Sequence, residues 1–238
     1  MIIWIIFLII IIIDLLLCAI YSRMRRKRDF RKQTIKKRNV DNQYNSTAES
    51  NIILKLFKWI DNTMYGLCRY TSICLGYLPS HTIRRMIYKY VFCMKINRHA
   101  IIHGGGEIRS PWNVVIGNSV IGVGAILDGR NGIEIEDDVV LATGVWIWTE
   151  DHDAEDPYFR VLDKGGKVTI KRHVWIGNRV VILPKITVNE GAVLAASSVV
   201  TKDCDSFTMY GGVPAKEIHK RNNQLKYSNV TKGVWPLY

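Results

Sequence analysis

Ile170, Ile176, Ile182, Val188, Leu194 and Val200 stand six residues apart without a gap. Four residues after each of the first five come Val174, Val180, Ile186, Ala192 and Ser198, all small or β-branched. Upstream, Ile135, Leu141 and Ile147 keep the same period, with Val139 and Val145 at the fourth offset, and Ile121 and Leu127 form a further pair. A six-residue period fits neither an amphipathic helix nor simple strand alternation. It predicts a parallel β-helix, in which three short strands make a triangular coil of about 18 residues and each repeated aliphatic residue stacks inside on its counterpart one coil away. The turn position that follows calls for a small residue or one that tolerates positive φ, a place expected for Gly117, Gly122, Gly177 and Asn189. Such a solenoid needs covered ends. The stretch before residue 95 and the tail after residue 216 are the candidates.

A second feature sits at the start. Residues 2–20 are apolar apart from Asp14. As a helix they rise about 28 Å, close to the hydrocarbon thickness of a bilayer. Nothing basic precedes the run, whereas ten Lys or Arg and one acid fill residues 23–38. That order argues against a cleaved signal peptide and for an uncleaved anchor. The basic block predicts a single-pass protein of a bacterial-type inner (plasma) membrane, N-terminus outside and the bulk of the chain cytoplasmic, with the block near anionic lipid headgroups. Asp14 near mid-bilayer points to helix–helix contact. The formal net charge is +12, but the remaining 200 residues hold 23 basic and 19 acidic side chains. The basicity is therefore local, and no nucleic-acid partner is expected. Five cysteines without a CxxC pair fit a reducing compartment rather than a disulfide scaffold or zinc ribbon.

Between anchor and repeat, residues 39–50 read as a polar linker. Ile53, Leu56, Phe57, Ile60, Met64 and Leu67 recur at helical spacing, Pro79 breaks the run, and His81–Met94 reads as another short helix. These helices either pack on the following domain or lie on the membrane surface, and packing is the simpler reading. The expected organisation is an anchor (1–22), a basic segment and linker (23–50), amphipathic or capping helices (51–94), the solenoid (95–216) and a tail (217–238).

LDGRNGIEIEDDV (127–139), WTEDHD (148–153), VWIGNRVVILPKITV (174–188), LAASSVVTKD (194–203) and GGVPAK (211–216) together resemble the hexapeptide-repeat acyltransferases. The likeness is to the branch of maltose, galactoside and capsular-polysaccharide O-acetyltransferases and covers residues 79–219. It implies a mainly β chain built on a left-handed parallel β-helix, a hand that periodicity alone does not give. It also implies a homotrimer with a site at each subunit interface and acetyl-CoA as donor. Lys185, Asn189 and Ala195 stand where the family usually has glycine.

The hexapeptide phase breaks between Ile147 and Ile170, 23 residues apart, so a loop must leave the coil there. It carries Glu150-Asp151-His152-Asp153. Acyl transfer from a thioester to a hydroxyl needs a base, and an imidazole suits the task. By resemblance His152 is that base, with one of the three neighbouring carboxylates orienting it. The resemblance also assigns Asn178, Ala196 and Thr201 to the pantetheine arm, Trp175 to the pocket wall, and Lys216 and Lys202 to the nucleotide phosphates. Asp128 and Arg130, one coil before the loop, either contact an acceptor sugar or form a turn-stabilising salt bridge. A zinc site of the γ-carbonic-anhydrase kind needs a close histidine pair within the coils. Only His99 and His103 are close, ahead of the repeats, so no metal is expected.

The expected function is acetyl transfer from acetyl-CoA to a sugar hydroxyl of a surface polysaccharide or its precursor. Alternatives are N-acetylation of an amino sugar nucleotide and, from another class, a non-catalytic β-helix that assembles a membrane complex. A serine acetyltransferase fits less well, because that family carries a longer helical N-terminal domain.

Overall fold

The computed structural model describes residues 2–36, 52–159, 161 and 165–228; the expected linker, 39–50, lies outside them. Three helices precede the solenoid: α1 (Ile2–Lys36), α2 (Ile52–Leu75) and α3 (His81–Tyr90). The chain then winds as a parallel β-helix with three faces, left-handed as the resemblance implies.

Helix α1 does not stop at residue 22. It runs unbroken through the basic block to Lys36, since Arg and Lys are good helix formers. Trp4–Asp29 is the one described helix long and apolar enough to cross a membrane. Residues 4–13 are exposed on every side. From Asp14 onward one side of α1 docks on the domain. Thr71 Oγ1 donates to Asp14 Oδ2 (2.9 Å), Tyr21 OH to Asp61 Oδ1 (3.0 Å), and Trp112 Nε1 to Asp29 Oδ2 (3.0 Å). Arg25 and Arg28 pair with Asp61 at 3.0 and 3.1 Å. Arg23 and Arg26 donate to the carbonyls of Tyr90 and Cys93. Four arginines of the block expected at lipid headgroups are thus engaged with protein.

Only the second half of α2 packs on the domain. Ile53, Leu56, Phe57 and Ile60 are exposed, whereas Met64 and Leu67 lie against the core. Helix α3 is capped by Ser80, which accepts from Ile83 N, and ends four residues short of the expected Met94. Phe92 and Met94 leave the helix and are buried under the first coil.

The first face contains Lys95–Ile96, Val114–Ile116, Ile133–Ile135, Val168–Ile170 and Thr187–Val188. The second contains Ile101–Ile102, Val120–Ile121, Val140–Leu141, Trp175–Ile176, Val193–Leu194 and Thr208–Gly211; the third contains Glu107–Arg109, Ile126–Asp128, Trp146–Ile147, Val181–Ile182 and Val199–Val200. The repeated residues stack as expected: Ile176 sits in register between Leu141 and Leu194, and Ile182 between Ile147 and Val200. Ile170, Ile176, Ile182 and Val188 are 0% exposed, and so are the fourth-offset residues Val180, Ala192 and Ser198. The first strand lies at Lys95–Ile96, ahead of the residues in which the repeat shows. Lys95–Arg109 form a first coil, which includes His99 and His103, and His103 packs edge-on against His81 at 5.0 Å rather than against His99.

The turn glycines do a different job from the one expected. Gly117, Gly122 and Gly177 do not adopt positive φ. A Cβ on any of them would come within 2.5–2.7 Å of the next coil's Asp137, Ala142 or Ala196. Glycine is there because two backbones approach closely. The left-handed residue lies two residues on from Gly122 and Gly177, at Gly124 and Arg179, and recurs every six residues at His173, Arg179, Lys185, Gly191 and Ser197, with Asp138 and Gly144 upstream. Lys185, at a position where the family favours glycine, adopts the left-handed conformation itself (φ 68°).

The expected tail from residue 217 is partly built in. Thr208–Gly211 pairs antiparallel with Lys216–Lys220. The chain then folds back along a corner, where Tyr227 OH donates to the His173 carbonyl (3.1 Å) and Ser228 Oγ to Asp138 Oδ1 (2.8 Å).

Ile176→Ala removes a side chain stacked between two coils with no room to collapse. It is expected to cost about 2–5 kcal/mol, read as a shift in the denaturation midpoint by circular dichroism.

Candidate active site

The loop leaves the coil after Trp146–Ile147 on the third face and rejoins it at Val168–Ile170 on the first. Its neck is held by Thr149, which is 0% exposed. Thr149 Oγ1 donates to the Asp128 carbonyl (2.6 Å) and accepts from Asn131 N (3.0 Å). The Thr149 carbonyl accepts from Asn131 Nδ2 (2.7 Å) and from Gly166 N (2.8 Å), which closes the neck.

Beside Thr149 lies an ion-paired bracket. Arg130 grips Asp128 with two bonds, Nε to Oδ1 and Nη2 to Oδ2, both 2.8 Å. Its Nη1 reaches Glu150 Oε1 at 2.8 Å. These hydrogen bonds to Asp128 hold the guanidinium charged above its already high range. Asp128 is 0% exposed, and Oδ2 also accepts from Thr149 N (3.4 Å). Of the two roles weighed for this pair, the geometry is that of the salt bridge. Asp128 and Arg130 fix the turn and tie it to the loop through Glu150, and the enclosed Asp128 carboxylate presents no surface to an acceptor.

His152 is exposed beyond this bracket. Its Nδ1 lies 2.7 Å from the Phe159 carbonyl. A carbonyl only accepts, so Nδ1 carries the proton and Nε2 of the neutral ring keeps its lone pair. The imidazole also stacks flat on the Phe159 ring, with centroids 4.5 Å apart and planes 3° from parallel. The expected carboxylate partner is replaced by this main-chain oxygen. Asp151 Oδ1 instead accepts from His152 N (2.8 Å), and Asp153 Oδ1 from Glu155 N (3.1 Å). Phe159 was not singled out in the sequence, because its acceptor is a backbone atom available at any residue. Its φ of 49° aims that carbonyl and carries no sequence signature.

The other candidates lie one to three coils further on. Trp175 points outward from the second face, 50% exposed. Asn178 and Ala196 occupy the same corner on successive coils. Asn178 Oδ1 accepts from Thr143 N (3.1 Å), and its carbonyl accepts from Ser197 N (2.8 Å). Thr201 and Lys202 are exposed just after the last strand of the third face, and Lys216 is exposed at the start of the final hairpin. His152 and these residues are not joined into one pocket within a single chain. A cleft of about 670 Å³ lies elsewhere, between α3 and the first face. Among the described residues, no group of three His, Cys, Asp or Glu side chains is placed to hold a metal ion.

The outward rows of the three faces differ in character. The first carries Lys95, Val115, Glu134, Thr169 and Thr187 in register. The third carries Glu107 at its start and then Ile126, Trp146, Val181 and Val199, and the second Ile101, Val120, Val140, Trp175 and Val193. Two apolar faces thus meet at the Asn178–Ala196 corner, and the His152 loop leaves from the far edge of one of them.

No protein-family model matches the sequence. The chain is 31% identical over 130 residues to a dTDP-4-amino-4,6-dideoxy-D-glucose acyltransferase of Escherichia coli, covering 51% of this chain and 64% of that one. It is 34% identical over 100 residues to the galactoside O-acetyltransferase of Escherichia coli K12, covering 40% and 47%. It spans less than two thirds of the length of the curated relatives it matches. Among solved structures, a galactoside acetyltransferase in complex with coenzyme A superposes with a TM-score of 0.58 at 26% identity, covering 66% of this chain and 82% of that one.

Thr149→Val leaves the Asn131 amide and the Asp128 carbonyl without their hydroxyl partner. The expected loss is about 1–3 kcal/mol, with faster amide exchange across the loop neck by hydrogen–deuterium mass spectrometry.

Proposed function

From its likeness to hexapeptide-repeat, left-handed β-helix acyltransferases, we propose that this chain is a membrane-bound O-acetyltransferase of that kind. It transfers the acetyl group of acetyl-CoA to a sugar hydroxyl of a surface polysaccharide or its precursor. The observation that carries the reading is the Nδ1–Phe159 carbonyl bond, which leaves Nε2 of an exposed loop imidazole as a base. In this mechanism Nε2 takes the proton of the attacking hydroxyl as its oxygen bonds to the acetyl carbonyl carbon. The imidazolium then returns that proton to the departing CoA sulfur, so the histidine ends as it began. The Phe159 carbonyl holds the ring through both steps and is itself better bonded to the charged ring. Direct transfer of this kind needs no protein nucleophile.

The donor is assigned to Trp175, Asn178, Ala196 and Thr201 along the pantetheine arm, with Lys202 and Lys216 at the phosphates. Support comes from the shared corner of Asn178 and Ala196 and from the exposure of the two lysines. Asp128 and Arg130 act on the acceptor side as positioning residues, through Glu150 and the loop. The reading includes a homotrimer, which the two apolar outer faces support. A second copy seated on the third face would meet the loop and bring its own donor corner toward His152. The membrane side is supported by the all-round apolar start of α1 and the basic residues that follow it, which favour the cytoplasmic face of the membrane. The likeness to an amino-sugar acyltransferase supports one second reading, N-acylation of an amino sugar at the same base.

His152→Ala is expected to lower kcat by about 10²–10⁴-fold, with acetyl-CoA affinity by calorimetry unchanged. Near wild-type thiol release with a confirmed acceptor would sink the assignment. Trp146→Glu places a charge on the third face. Light scattering of the detergent-solubilised chain should then read a monomer where the parent reads a trimer, and turnover should fall with it.

A further inference from the structure

The apolar stretch that opens α1 overlaps the part of α1 that docks on the domain. Composition alone centres a span near Ile11, which leaves Asp14 in hydrocarbon and Ile20 at the boundary. Packing points to a different level. Asp14 lies beside Thr71 and the Tyr21–Arg28 stretch beside Asp61, so α1 and α2 run antiparallel. Helix α2 is bonded in turn to the first coil. Ser72 Oγ donates to the Ile108 carbonyl (2.9 Å), and Arg69 Nε pairs with Glu107 Oε1 (2.5 Å). From Asp14 on, α1, α2 and the first coil therefore move as one unit.

The outward side of α2 beside this stem is Asn62, Thr63, Gly66 and Arg69, all exposed. A span centred on Ile11 would sink Asp14 about 9 Å below the boundary and carry the Arg69–Glu107 pair down with it. Charged and polar groups at that depth are strongly disfavoured. Residues 4–13 are the opposite case. They are Trp, Ile, Phe and Leu only, exposed all round, a composition that belongs within lipid rather than on a surface. Tyr70, next to Thr71 in α2, stands beside the junction, 67% exposed. Amphipathic aromatic rings of this kind collect at membrane–water boundaries.

We propose that the membrane boundary meets α1 at Asp14. Residues 4–13 enter the hydrocarbon of a lipid bilayer, and residues 14–29 form a stem outside it, welded to α2 and the first coil. The inference rests on the membrane-bound reading above and adds the level at which the domain is held. Residues 4–13 reach about 15 Å past the boundary, the depth of one leaflet. Tyr70 then stands at the headgroups, and the last turn of α2, which ends at Leu75, reaches about 6 Å to their lipid side. Phe57 stands about 20 Å above them along α2.

The test is a depth profile on the full chain. Single accessible cysteines replace Trp4, Ile12, Ile20 and Phe57 in a Cys74→Ser, Cys93→Ser background, the remaining cysteines being buried. All four positions are exposed, so labels there leave the packing intact. Each variant carries a bimane and is bound to phosphatidylcholine–phosphatidylglycerol vesicles containing lipids brominated near the chain ends or near the headgroup. Chain-end quenching should be strongest at position 4, weaker at 12 and lost at 20 and 57. Strongest chain-end quenching at 12, with 4 and 20 both shallow, marks a span centred on Ile11 and overturns the proposal. Equal shallow quenching at 4 and 57 marks a helix pair lying flat, and overturns it too. Failure of the unlabelled chain to float with the vesicles removes the membrane reading itself.

Discussion

Everything in this domain is set by the spacing at which one coil lies on the next, the strand separation of about 4.8 Å. That spacing puts Ile176 against Leu141 and Leu194, and Ile182 against Ile147 and Val200. Side chains that fill the interior must therefore repeat in kind every six residues. The same spacing leaves no room for a Cβ where two corners nearly touch, as at Gly117, Gly122 and Gly177. It also forces the chain through a left-handed residue at each corner, a conformation that His173, Arg179 and Lys185 adopt despite its cost. Glycine serves in both places, at the close contact in Gly117, Gly122 and Gly177 and at the left-handed corner in Gly144 and Gly191.

A scaffold this regular offers chemistry only where it is interrupted. The His152 loop is such an interruption, and its neck is bonded to the coil rather than left to hang. Thr149 bridges main-chain groups of two coils, Arg130 links the buried Asp128 to Glu150, and Phe159 turns its carbonyl back onto the imidazole. Rigidity passes from the packed coil to the ring nitrogen through hydrogen bonds that each have one available partner.

How much of this was legible in the sequence follows from which interactions leave a residue-type signature. Inward stacking does, so the coils from Ile133 onward and the break after Ile147 could be read directly. The first coil could not, although Ile96, Ile102 and Ile108 are six apart. Short 3-10 turns at Pro111–Asn113 and Gly129–Asn131 stretch the next steps, Ile108 to Ile116 and Leu127 to Ile135, to eight residues. His152 stood out as the histidine of the broken segment, but its partner is a main-chain carbonyl. The Asp128–Arg130 bracket was visible as a charged pair, and only burial decided between its two roles. The weld between α1 and α2 was hidden because Asp14 and Thr71 are 57 residues apart and neither belongs to a motif.

The returning C-terminal segment changes how the solenoid can come apart. In a stack where each coil touches only its neighbours, the last coil can fray first and the others follow one by one. Here Arg221 donates to the Gly191 and His173 carbonyls, Tyr227 to His173, and Ser228 reaches Asp138. One strand of chain thus laces three successive coils along a single edge. Opening the last coil means tearing that lacing from two coils below it. The end of the solenoid that carries Thr201, Lys202 and Lys216 is thereby tied to its middle, and opening becomes a joint event rather than a gradual peel.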